Sequence, residues 1–362
     1  MRRLLRKLAE LQLEHTNKVI LACVALTVFL ALGVPKIQLQ TDFQDSLPDT
    51  LNPIATQEEV QAKFGNTDSI IILFQLNEKP KQNSTVGDIR HPHVLGTMEF
   101  LENGLESEPI IDSVNSMASL FNEVPENKSV VKERLQRSDA SFTNRDYTAS
   151  LMFVKLSEEM TEQNIEEAMK TINRNIERAP KYPGYRIKMT GVPVMRSTLS
   201  DVLISDTVSI IAIASLLILG LLIIVRGVFF GPATFAPLFL GLIWALGAMG
   251  HLGIPLTIAT ISIGSMLLGL GVEYGSFIAE RTIEEIDELG IEEGVYKAMP
   301  NTGMAVLGSS TTDLVGFFAL LLASISFIRD LGITLALGEG LTLLAAIVLT
   351  PALIIKYERW SE

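Results

Sequence analysis

Two blocks of apolar sequence constrain this chain more than anything else in it. Residues 17–34 form the first, and residues 203–355 the second, broken only by short polar joints. A bilayer core about 30 Å thick takes about 20 apolar residues of helix to cross. Within it the backbone must satisfy its own hydrogen bonds, which selects helices or closed barrels. The second block holds five stretches of that size, near 203–225, 231–250, 256–279, 302–324 and 332–355. With 17–34 they predict six transmembrane helices, and a mean hydropathy of +0.34 agrees with a membrane protein.

Arg2, Arg3, Arg6 and Lys7 precede the first apolar run, as in a signal peptide, but no small-x-small cleavage site stands before Pro35. An uncleaved first span is the expectation. With the start of the chain inside, the short inner segments carry Lys18, Arg226, Arg281, Lys297, Lys356 and Arg359, whereas Arg329 stands alone in the short outer ones. The positive-inside rule then predicts a multi-pass plasma-membrane protein with both termini cytoplasmic and residues 35–200 extracytoplasmic. The lone cysteine, Cys23, excludes an intrachain disulfide.

The polar insert at 35–200 is large enough to be a domain. Ser69–Leu76 is a β-branched run suited to a buried strand. Leu95, Met98, Leu101 and Leu105 fall on one helical face. Weaker and stronger strand patterns follow at 110–117 and 147–156. Thr161 is placed to cap a helix striped by Ile165, Met169, Ile172 and Ile176, and 185–190 reads as a last strand. The order βαββαβ predicts an α+β ferredoxin-like sandwich of the porter type, with 118–146 as a polar, partly helical insertion. Asn83 and Asn127 begin N-x-S/T sequons. His91-x-His93 beside Pro92 is a weak pattern for a metal, and no metal is expected.

The membrane half, 201–362, carries Glu273, Asp313 and Glu339 inside its apolar stretches, with no Lys or Arg among them. An ionisable residue at membrane depth is costly and is a functional-site hypothesis by default. Counting about 1.5 Å per residue puts all three at middle depths, where they are expected to be able to carry a proton. Tyr274, Ser309, Ser310, Thr311 and Thr312 add hydroxyls for a relay. Each acid also has a plain structural reading. Glu273 could snorkel to water, Asp313 could bond Ser309 and Ser310 one turn earlier, and Glu339 could line a wet vestibule. Gly271-x-x-x-Gly275 is a helix-packing pattern. The segment 280–297 sets Ile283, Ile286 and Leu289 near one face and predicts a separate amphipathic helix along the cytoplasmic surface. No nucleophile–base set, phosphate loop or basic aromatic patch is present, so neither an enzyme nor a nucleic-acid partner is expected.

One span, a large outer domain and five close spans resemble half of a resistance-nodulation-division (RND) transporter. The chain is most similar to the hydrophobe exporters related to the MmpL lipid transporters and hopanoid exporters. GLGVEYGSFIAERTIEE (269–285) resembles their fourth-span motif GxGVDYxxxxxxRxxEE, and SSTTDLVGFFALL (309–321) their fifth-span TTxxGFxxL. TDFQDSLPDT (41–50), KFGNTDSIIILF (63–74) and TGVPV (190–194) resemble the borders of their outer domain. The resemblance implies proton-driven export of hydrophobic or amphiphilic molecules such as lipids, with no cofactor beyond the coupling ion. It makes Glu273 the main coupling acid, with Tyr274 its hydroxyl neighbour. Here the usual Asp is Glu, and Asp313 and Glu339 stand where the pattern is apolar or small. Family members typically hold two such halves, so a homodimer is expected, with Gly271 and Gly275 letting two copies of the fourth span approach. Membrane lipids and a lipid-like substrate are the other expected partners. The alternatives are a translocation accessory resembling SecD and SecF and a non-transporting sterol-sensing-like module.

Overall fold

The computed structural model describes residues 1–41, 69–77, 86–137, 142–157 and 161–361. They divide into two compact units, residues 1–54 with 202–362, and residues 55–201. The motif at 42–50, the start of the one at 63–74 and Asn83 lie outside the described residues.

The second unit is built on a four-stranded antiparallel sheet of β1 (Ser69–Leu76), β2 (Ile111–Asn115), β3 (Ala149–Leu156) and β4 (Tyr185–Thr190), ordered β2-β3-β1-β4. β1 is central. Its Ile72 pairs with Met152 on one side and Met189 on the other. Side chains alternate along a strand, and Ile70, Ile72 and Phe74 are wholly buried, as are Met152 and Val154. They share one core with Leu95, Met98 and Leu101 of α3 (Pro92–Glu106) and with Ala168 and Ile172 of α5 (Glu162–Arg178). Thr161 caps α5 as its sequence position indicates, its hydroxyl accepting from the Asn164 amide at 3.2 Å. The H-x-H pair begins α3. His91 Nδ1 accepts from the His93 amide at 3.2 Å, and the His93 ring stacks on Tyr182 at 4.2 Å between centroids. The insertion carries α4 (Lys128–Arg137). Arg90 binds Asp88 at 3.0 Å and lies over the Tyr147 ring, while Lys132 reaches Asp88 from α4 at 3.2 Å.

The first unit opens with α1 (Arg2–Glu14), an amphipathic helix that the hydropathy pattern leaves unannounced, followed by α2 (Thr16–Ala31). α6 (Val192–Leu252), which belongs to this unit from residue 202 on, covers the expected second and third spans and is broken once, at Gly227, with φ 83° and ψ 172°. α7 (Ile263–Leu289), α8 (Ile291–Ala319) and α9 (Ser326–Ser361) complete it. By length and composition, Thr16–Lys36, Val192–Leu252, Ile291–Leu322 and Ser326–Trp360 are apolar enough to cross a membrane.

Two expectations need correction. The fourth stretch does not begin at 256. Residues 253–262 are irregular, and Leu256 pairs with Leu39 as an isolated bridge before α7 starts at Ile263. No separate surface helix spans 280–297. α7 continues through the charged segment to Leu289, turns at Gly290, and α8 starts at once. Gly290 has φ 83° and ψ 170°, almost the backbone of Gly227. That region is open essentially to glycine alone, so one residue at each site reverses the helix. Ile286 lies buried with Val295 and Met299 from beyond the turn and Ile283 packs against the same cluster, while Leu289 stays exposed.

Close helix packing follows from small residues. A Cβ on Gly247 would meet the Leu30 carbonyl oxygen at 2.0 Å, and Trp244 donates its indole N–H to Thr27 Oγ1 at 2.7 Å. α1 is fastened by Gln12, whose Nε2 donates to the carbonyls of Ile347 at 3.0 Å and Val348 at 2.9 Å. Pro351 lies inside α9 and has no N–H, so the Ile347 carbonyl lacks its usual i+4 donor. Gln12 supplies one.

Candidate functional site

Three consecutive helices bring one hydroxyl to two carboxyl groups. Tyr274 of α7 is 1 % exposed, and its Oη lies 3.0 Å from Asp313 Oδ2 of α8 and in hydrogen-bond contact with Glu339 Oε1 of α9. Glu339 is also 1 % exposed, and its Oε2 has no hydrogen-bond partner among the described residues. No described Lys or Arg forms an ion pair with either acid. A phenol has one proton to donate. Tyr274 can therefore donate to one of the two carboxyl groups at a time.

The helices come this close because of glycines and short side chains. A Cβ on Gly271 would meet Thr342 Cγ2 at 2.7 Å, one on Gly275 would meet Leu238 Cδ2 at 2.9 Å, and one on Gly338 would meet Leu267 Cδ1 at 2.4 Å. The G-x-x-x-G face of α7 is therefore occupied within the chain, by α6 and α9, and is not open to a second copy.

Of the predicted site residues, Tyr274, Asp313 and Glu339 meet, and neither Glu273 nor Thr312 joins them. Glu273 is exposed on the far side of α7, since successive residues turn by about 100° around a helix. Exposed Met266, Gly269 and Phe277 share that side with it. Thr312 is exposed, and its hydroxyl donates to the Gly308 carbonyl at 3.4 Å. Asp313 finds Tyr274 rather than the serines one turn earlier. Sequence reasoning missed Thr342, a buried hydroxyl with no partner among the described residues, three positions past Glu339. Its signal was the small-x-x-x-small spacing of Gly338 and Thr342.

Long apolar helices enclosing unpaired carboxyl groups define an integral membrane protein of the kind that places titratable groups within its bundle. The chain belongs to the MMPL family, whose model matches residues 38–361, and so to the RND type that its motifs resemble. It is 33 % identical to the putative membrane protein MJ1562 of Methanocaldococcus jannaschii, over 99 % of this chain and 95 % of that protein. It is 24 % identical to the membrane protein YdfJ of Bacillus subtilis over 93 % of this chain, which is 43 % of YdfJ. The siderophore exporter MmpL5 of Mycobacterium tuberculosis is 25 % identical over 60 % of this chain and 23 % of its own length. The chain thus spans nearly all of one relative and less than half of the others.

Proposed function

We propose that this chain is a proton-coupled exporter of hydrophobic or amphiphilic molecules, lipids among them, and that Tyr274, Asp313 and Glu339 form the site where the proton is taken up and released. The observation that carries the reading is the single hydroxyl shared by two carboxyl groups that no described Lys or Arg pairs with. One proton moved on or off that cluster changes which helix Tyr274 is bonded to, α8 or α9. Protonation thereby biases the packing of three helices, as a two-state switch requires. The exporter MmpL5 among the relatives supports the transport class.

In this reading α2, the two halves of α6, and α7 to α9 are six spans, and the sheet unit is an extracytoplasmic ferredoxin-like domain. The strand order β4-β1-β3-β2, with α3 and α5 sharing one core against the sheet, supports that assignment. Glu273 keeps a coupling role, but from the open face of α7, which a second copy of the chain covers. A carboxylate among exposed Met266 and Phe277 calls for a partner in a bilayer.

The test is export of a fluorescent amphiphile by the full chain in proteoliposomes under an imposed pH gradient. Glu339→Gln and Asp313→Asn should each lower gradient-driven export at least tenfold while leaving assembly intact. Full activity in both variants would falsify the assignment.

A further inference from the structure

Beneath α1 the first unit holds a cavity of 320 Å³ that the coupling site does not use. Its walls are Leu8 and Leu11 of α1, Val19 and Cys23 of α2, Trp244 of α6 and Val348 of α9, and its lining is almost wholly apolar. Leu26 also lines it, eight residues beyond Lys18 on α2, so the apolar wall runs about 12 Å along that helix. At the α1–α2 junction stand His15 and Lys18, both exposed. Lys18 has no ion-pair partner among the described residues.

The outer surface of α1 continues this pattern. Leu4, Leu8 and Leu11 share a face at i, i+4, i+7, with Leu4 65 % and Leu11 48 % exposed. Lys7 is three residues from Leu4 and four from Leu11, so it borders that stripe. The acids of α1 lie elsewhere. Glu10 and Glu14 line a separate hollow with Glu292, Glu293 and Arg359. The polar side chains that line the apolar cavity are His15 and Lys18.

We propose that this cavity is a binding site for one anionic membrane lipid, its acyl chain lying along α2 beside Trp244 and its headgroup meeting Lys18 and His15. An apolar slot with Lys18 at one end fits an acidic amphiphile better than a neutral one. Its neighbour α2 belongs to a segment apolar enough to cross a membrane, which supplies that lipid at the site. The inference rests on this placement and is independent of the transport reading.

Trp244 makes the site directly readable. Trp360 is the other tryptophan, 81 % exposed, and Trp360→Phe leaves Trp244 as the sole emitter. The full chain carrying that change is placed in nanodiscs of phosphatidylcholine doped with acyl-brominated phosphatidylglycerol or acyl-brominated phosphatidylcholine. Half-quenching of Trp244 is expected at about fivefold less brominated phosphatidylglycerol than phosphatidylcholine. Lys18→Gln should bring the two lipids to parity, and Ala22→Phe, at a further lining position of α2, should fill the cavity and protect Trp244 from both. Equal quenching by the two lipids in the unsubstituted chain overturns the proposal. So does selectivity that survives Lys18→Gln. Relief of quenching by free glycerol phosphate also overturns it, because the site would then bind a soluble anion. Lys18→Gln removes only an exposed side chain, so the test stands even if Ala22→Phe fails to fold.

Discussion

Glu273 and Tyr274 are neighbours on α7 and end in opposite surroundings. The Tyr274 hydroxyl is buried between Asp313 and Glu339, while the Glu273 side chain faces outward among Met266, Gly269 and Phe277. The two side chains lie in different places.

Tyr274 and Glu339 should be energetically coupled. Each removes a buried polar group from apolar surroundings for the other, so a double-mutant cycle of Tyr274→Phe and Glu339→Gln should show about 1–3 kcal/mol of interaction. The readout is thermal unfolding in detergent. Additive effects would argue that the hydroxyl and the carboxyl do not share a proton.

Glu273 should lie at a contact between copies. In a Cys23→Ser background, single cysteines at Glu273 or Phe277 should cross-link two chains in nanodiscs, whereas one at buried Leu268 should not. Monomers at both outward positions would remove the second copy from the proposal.

Gln12 should matter in proportion to Pro351. Gln12→Leu removes donors to two carbonyls and should cost about 1–3 kcal/mol of stability. Restoring a backbone N–H with Pro351→Ala should reduce that cost, because the Ile347 carbonyl regains a helical donor. An undiminished penalty in the alanine background would show that Gln12 acts through packing alone.

Gly227 and Gly290 have open space where a Cβ would go, so alanine there meets only the backbone cost. Each substitution should destabilise by about 1–3 kcal/mol. Gly220→Ala, also facing open space and without a positive φ, should be neutral or stabilising. Melting temperatures of the three variants separate the conformational effect from the steric one.

The sheet unit should respond to pH through two acids of opposite sense. Burial works against the charged form of Asp88, yet hydrogen bonds from Arg90 and Lys132 hold it well below the usual carboxylate range. Its stabilisation is present above the unfolded value near 3.9 and is lost as pH falls toward the folded one. Asp88→Asn should flatten the acid limb of unfolding below about pH 4. Burial raises Glu102, against hydrogen bonds from Ser119 and Ser116. Its contribution is present below about pH 4.3 and fades as pH rises through the raised value. Glu102→Gln should therefore be best tolerated at neutral pH, as followed by hydrogen exchange in α3.

The residues themselves announced much of this protein. Six apolar stretches, the alternation of Ile70, Ile72 and Phe74, the cap at Thr161 and the GVEY motif are local patterns, and local patterns follow directly from side-chain order. The candidate acids were legible for the same reason: a carboxylate in an apolar run is conspicuous. Their grouping was not. Which of Glu273, Asp313 and Glu339 share a hydroxyl depends on how α7, α8 and α9 are rotated about their axes. That rotation is set by distant contacts, such as Gly271 against Thr342 and Gly338 against Leu267. The stripe at 283–289 likewise reads as a membrane-surface helix until the turn at Gly290 supplies Val295 and Met299 to pack on Ile286. Sequence order alone established that the chain has stretches apolar enough to cross a membrane and that acids fall within them. Helix packing selected Tyr274 as the group two of those acids meet and left Glu273 outside, because a one-residue step on a helix separates neighbours by about 100°.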